Sequence, residues 1–188
     1  MKKSLLLVIL SVIFLTAMSL SGCSISPHVN TSEATTNLKA ISTDETAFNA
    51  TNSTYISAGY YSTKGLNFSR NTQPHTFYNG NKAPAAAQPP YKCVNNVLES
   101  KTGKVTAGFP NLGFMLNGKP YFYYFVKTSP KASTAPPVKL SAPPSLPSTP
   151  YVSCGNGYEA FAVINFGGNI HVYAVNDYSS VPILVYEK

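Results

Sequence analysis

Seven of the 22 residues in segment 129–150 are prolines, at positions 130, 136, 137, 143, 144, 147 and 150. A proline has no backbone N–H and fixes its own φ, so such a run cannot form a central strand of a sheet. The segment is expected to be a solvated, polyproline-like excursion. It divides a C-terminal half that otherwise reads as strands. Residues 121–126, Tyr-Phe-Tyr-Tyr-Phe-Val, are an aromatic run of high strand tendency. Residues 158–165 and 170–175 read as a hairpin around Phe166-Gly167-Gly168-Asn169, whose residues tolerate positive φ. Residues 183–187 read as a fourth strand, after a loop over 176–182.

The first half is organised differently. Ala34, Leu38, Ile41 and Phe48 follow one another at spacings of four, three and seven, which puts them on one face of a helix over residues 32–50. Ser32 or Thr31 suits the cap at its start. Residues 53–92 are rich in Tyr, Ser, Asn, Pro and Gly, with a short strand expected within 55–61 and a loop over 83–90. The expected fold class is therefore α+β. An N-terminal helix packs on an antiparallel sheet of about four strands, with long Pro-rich loops. Phe122, Phe125, Phe161 and Val163 are expected in the core.

The N-terminus sets the compartment. Met1-Lys2-Lys3-Ser4 precedes an apolar stretch over residues 5–15 and a small-residue exit, Ser19-Leu20-Ser21-Gly22-Cys23. A basic start, an apolar core of about ten residues and a small-residue exit are the parts of a secretory signal. Leu20-Ser21-Gly22-Cys23 resembles the bacterial lipobox. That resemblance implies cleavage after residue 22, lipidation of Cys23, and a polar tether over 23–31 leading to a single domain over 32–188. The implied location is the bacterial cell envelope, with the membrane engaged through the lipid. Residue 24 is Ser rather than the Asp that resembles an inner-membrane retention signal, which favours the outer membrane.

With Cys23 taken by lipid, only Cys93 and Cys154 remain. In an oxidising compartment an isolated pair is expected to form a disulfide. It would close a loop of about 60 residues, worth about 4 kcal/mol in the chain-entropy treatment. After residue 22 there are 12 basic residues against 7 acidic ones, a net charge of about +5. The lysines are scattered and no three are adjacent, so a solvated surface is favoured over a nucleic-acid partner.

Two segments resemble the head domains of type IV pilins and pseudopilins. One is residues 38–55, where a helix ends in Asp44-Glu45-Thr46-Ala47-Phe48 and runs into an Asn-rich turn with Thr54-Tyr55. The other is the hairpin of residues 157–165 and 171–177. The resemblance implies a helix packed on an antiparallel sheet of about four strands. It departs from the family at the N-terminus. Pilins keep a long apolar helix that forms the filament core, whereas here that segment is expected to be cut away at Cys23. A pilin-like head on a lipid anchor is what remains.

Candidate chemistry is sparse. His28 falls in the tether, His75 in a Pro/Asn loop, and His171 on a strand with its side chain expected toward solvent. Asp44 and Glu45 are adjacent on the helix and read as solvated positions or a contact to Lys39. Gly167-Gly168-Asn169 with Asn176-Asp177 offers too few oxygens for a calcium site and reads as plain turns. No catalytic residue, metal or cofactor is assigned. Tyr60, Tyr61 and Tyr78 are the candidates for an exposed contact surface, because Tyr offers contact area at low entropy cost. The expected function is non-enzymatic: a lipid-anchored envelope protein acting in interaction or surface assembly, with an envelope protein or a pilus-system component as partner. The alternative is a lipoprotein that binds a small or polymeric ligand such as glycan. Incorporation of a clickable palmitate analogue tests the anchor. Wild type should be labelled and Cys23→Ser should not; equal labelling of the two would remove Cys23 as the acylated residue.

Overall fold

The computed structural model describes residues 27–59, 85–116, 120–145, 151–166 and 168–188. Helix α1 spans Pro27–Asn52, 26 residues. It takes in residues 27–31, which their polar composition assigns to the tether, and with them His28. Proline suits this position because a first-turn N–H has no intrahelical acceptor and the proline ring presets a helical φ. The buried stripe is Ala34, Leu38, Ile41 and Phe48, as the spacing predicts. The gap of seven in that stripe is filled by Glu45, which is 0% exposed. The reading of Glu45 as a solvated position is thereby corrected. Position 45 lies four residues after Ile41 and three before Phe48, on the same face. The helix ends at Ser53, in the left-handed region at φ 56°, where the Ser53 N–H still donates to the Asn49 carbonyl at 2.7 Å.

Strand β1, Tyr55–Ile56, follows at once. Three strands not expected from the sequence come next: β2, Lys92–Val94; β3, Val97–Ser100; and β4, Gly103–Lys104, in the order β2-β3-β4. Asn95 and Asn96, at φ 50° and 60°, make the two-residue turn between β2 and β3. Paired left-handed Asn residues are a common hairpin turn. A short helix, α2, Gly108–Leu112, closes on Gly113 in the left-handed region at φ 79°.

The main sheet is antiparallel with strand order β5-β7-β8-β9. It is built from β5, Tyr123–Ser129; β7, Gly157–Phe166; β8, Asn169–Asn176; and β9, Ile183–Glu187. A two-residue strand β6, Cys154–Gly155, pairs with β1. The last three main strands fall where the pattern predicts them. β5 starts two residues late because the N–H groups of Tyr121 and Phe122 donate to the Glu33 carboxylate instead of to a ladder, at 3.1 and 3.2 Å.

Both faces of this sheet are buried. On the inner face Tyr124, Val126, Ala160, Ala162, Ile164 and Val175 join Leu38 and Ile41 of α1 in one core. On the outer face Phe125, Phe161, Val163, Val172, Ala174 and Val185 form a second cluster. Phe125 and Phe161 stack there with centroids 5.1 Å apart. All four predicted core residues are buried, Phe122 on the inner face and the other three on the outer.

The described part of the Pro-rich segment, residues 130–145, forms no strand or helix. Most of it is exposed, as expected, but it is held to the sheet as a strap. Leu140 packs on the outer cluster and Pro137 is buried. The Leu140 N–H donates to the carbonyl of Val185 at 2.8 Å. Val185 is the residue skipped in the β8–β9 register, a bulge on the edge strand. Farther along, Lys127 Nζ donates to Ser145 Oγ at 3.1 Å. At the other edge of the sheet Ala58 bridges Val126 of β5. Gly59, at φ 134°, passes so close to Phe125 that a Cβ there would overlap it.

Cys93 and Cys154 are disulfide-bonded, 61 residues apart. The bond joins β2 to β6 and so ties the three-stranded sheet to the strand that flanks the end of α1. Replacing both cysteines by alanine should lower the unfolding free energy by about 4 kcal/mol, the chain-entropy value for a loop of this size. Urea titration of the full chain in detergent would measure it. No change in the transition midpoint would mean the bond constrains nothing the rest of the fold does not already hold.

Candidate functional site

The direction of each element places the loops at two ends of the domain. Glu33, near the start of α1, binds the start of β5, and Ser42 meets Tyr158 at the start of β7. α1 and β5 therefore run in the same sense. The start of α1, the β7–β8 turn and the C-terminal Lys188 lie toward one end. The root of the strap and the β8–β9 loop lie toward the other.

That second end is built around two residues. The Asp177 carboxylate accepts from the Ser133 N–H at 2.8 Å, the Ser133 hydroxyl at 2.6 Å and the Tyr158 N–H at 3.1 Å. Asn176 Nδ2 donates to the Ala135 carbonyl at 2.8 Å, and its Oδ1 accepts from the N–H groups of Tyr178 and Ser179. The Pro-rich segment thus receives from the sheet the partners that its own sequence lacks. Above them Tyr178 and Val181 stand about 60% exposed. Val138, on the strap, is 67% exposed.

Beside the strap, a groove of about 400 Å³ runs along the outer edge strand β9. Lys139 and Leu140 form one wall, and Leu184, Tyr186 and Glu187 the other. It has a base and an acid on its rim and an aromatic ring in its wall, an arrangement suited to holding a polar, partly apolar ligand by contact. His171 Nδ1 lies 3.6 Å from Glu187 Oε1, an ion pair when the imidazole is protonated. The His171 side chain is 27% exposed, half-buried rather than turned fully to solvent. It shares the inner-face side of β8 with Tyr173 and Val175.

Two further carboxylates hold backbone or lie under cover. Glu33 accepts from two N–H groups and from the Tyr124 hydroxyl, which Asn37 also contacts. Burial, reinforced by the Glu33 charge, pushes the Tyr124 hydroxyl well above the ordinary tyrosine value. Lys127 and Glu159 are cross-strand partners on the outer face. Burial lowers the first and raises the second, and each partly opposes the other's shift. Among the described residues no cluster of three His, Cys, Asp or Glu is placed to share a metal ion. Asn169 and Asn176 stand at opposite ends of β8, about 23 Å apart at 3.3 Å per residue, so the two turn segments weighed for calcium cannot meet.

Of the residues singled out from sequence, Cys93 and Cys154 are brought together. Cys23, Tyr60, Tyr61, Tyr78 and His75 lie outside the described residues. Asp177 and Asn176 were visible only as turn residues, because their partners are distant in the chain. Compared with known protein families, curated proteins and solved structures, the chain has no match.

Asp177→Ala should free the strap root. It should cost roughly 1–3 kcal/mol for the donors left unpaired and speed protease cleavage within residues 130–145 several-fold. Limited proteolysis read by mass spectrometry checks this. Unchanged cleavage would mean the prolines hold the strap without Asp177.

Proposed function

We propose that this chain is a non-enzymatic, lipid-anchored envelope protein with a pilin-like head, acting by contact in interaction or surface assembly. The observation that carries this reading is the join between anchor and head. Pro27 of α1 follows the lipobox-like Cys23 by four residues, a reach of at most about 14 Å. No described helix is long and apolar enough to cross a membrane. The attachment in this reading is the lipid on Cys23. The start of α1 then sits at the bilayer, and the end carrying Asp177, Tyr178, Val181 and the strap root faces away from it. A scaffold in which Glu33, Glu45 and Asp177 are spent on backbone N–H groups and loop anchors, with exposed Tyr178 and Val181 at its far end, supports recognition by surface contact.

The groove along β9 favours the second reading, a lipoprotein that holds a polymeric ligand such as glycan. Aromatic and charged side chains together suit a sugar face and its polar substituents.

In-cell photocrosslinking separates the two. With a photoreactive residue at position 181, the full-length protein should crosslink to a discrete envelope protein, and Tyr178→Ala should reduce the yield several-fold. Co-sedimentation with purified cell-wall glycan that is lost on Lys139→Ala or Tyr186→Ala, with no protein crosslink, would replace the first reading by the second.

A further inference from the structure

The residue that the helix pattern conceals is Glu45. It lies on the apolar stripe of α1 between Ile41 and Phe48 and is 0% exposed. Its Oε2 accepts the Ile56 N–H at 3.1 Å, which fixes β1 against the helix. Among the described residues its Oε1 has no hydrogen-bond partner. Among the described residues, the titratable groups that interact with it bring no positive charge. Asp44 precedes it on α1, Tyr55 belongs to β1, and Tyr158 of β7 donates its hydroxyl to Ser42. On β6, Cys154 is in the disulfide and does not titrate.

An ionised carboxylate here would be a buried charge with one N–H donor and a like charge alongside. A neutral acid in the same place keeps the Ile56 bond on its carbonyl oxygen and leaves only a hydroxyl unpaired, the smaller penalty. We propose that Glu45 is carried in the fold as the neutral carboxylic acid, and that loss of its proton to solvent loosens the junction between α1 and β1, so that ambient pH sets how firmly the helix end is held. The carboxylate, once formed, regains water only by leaving the stripe, and it releases the Ile56 N–H as it goes. β1 pairs with β6, the strand that carries Cys154. Opening at this junction therefore reaches the disulfide-bearing layer and leaves the β5-β7-β8-β9 sheet intact. This inference is independent of how the chain is anchored.

The direction of the pH effect follows from burial, which raises Glu45 well above the ordinary carboxylate range, with Asp44 adding to the rise and the Ile56 bond opposing it. The unfolded chain loses this proton near the ordinary glutamate value of about 4. Above that value the folded state binds one more proton than the unfolded state. Stability from this group is thus fully present at acid pH and falls as pH rises toward the folded value.

Carbon-detected NMR titration of the full-length chain in detergent micelles tests the proposal, with only five glutamate side chains to resolve. The Glu45 carboxyl should titrate above the other four, and Asp44→Asn should lower its midpoint. Glu45→Gln, neutral at every pH, should match wild type at acid pH and exceed it in thermal midpoint at pH 8, so that the difference between them grows with pH. Amide exchange at Ile56 should accelerate with pH in wild type beyond the intrinsic rate, and not in the variant. Co-titration of Glu45 with the other glutamates would overturn the proposal, as would a difference between wild type and variant that does not change with pH. If Glu45→Gln does not fold, the wild-type titration alone decides.

Discussion

The structure depends on a sheet whose two central strands are apolar on both faces. Residues 160–164 of β7 are buried without interruption, so neither face can be left to water. An antiparallel sheet commonly covers one face and solvates the other; this one needs two covers and has one helix. α1 takes the inner face through Leu38 and Ile41. The outer face, with Phe125 stacked on Phe161, is covered in part by an element of a different kind, a strap of proline-rich chain.

That choice of cover has a physical logic. A proline-rich segment loses little backbone entropy when it is fixed, because its φ angles are already restricted. It also lacks the donors that would let it join the sheet as a full strand. It therefore lies over apolar surface and contributes one N–H, that of Leu140, to the bulged edge strand β9. An edge so occupied is a poorer template for pairing with another chain. The cost is that the strap cannot satisfy its own polar groups, and the sheet must do so. Asp177, Asn176 and Lys127 are the sheet-side groups that meet it.

Acidic side chains serve repeatedly as backbone clamps. Glu33 draws Tyr121 and Phe122 out of the ladder and sets where β5 begins; Asp177 holds Ser133 and Tyr158; Glu45 holds Ile56. With only seven acids in the chain, three are committed to joining segments far apart in sequence or at a chain reversal. These acids lend their charge to fixing the fold, while Tyr178 and Val181 stand exposed by the strap root.

The sequence by itself determined the periodic elements. The stripe Ala34, Leu38, Ile41, Phe48 marks α1, and the strands flanking the Gly167-Gly168 turn are legible because spacing and composition are local properties. Cys93 and Cys154 were legible as a pair by count. The short β2–β3 hairpin carried a local signal as well, Asn95-Asn96 between two valines, though its strands are too short and too exposed to show a period. Only the tertiary structure decided the rest. Whether a polar residue at a stripe position faces solvent or core depends on how far the covering layer reaches, which is why Glu45 reads from sequence as solvated and is buried. Whether the prolines float or strap depends on an outer face that exists only once four strands are paired. Asp177 is a turn residue in sequence and an anchor in space because its partner Ser133 lies 44 residues away, a distance over which no local pattern carries information.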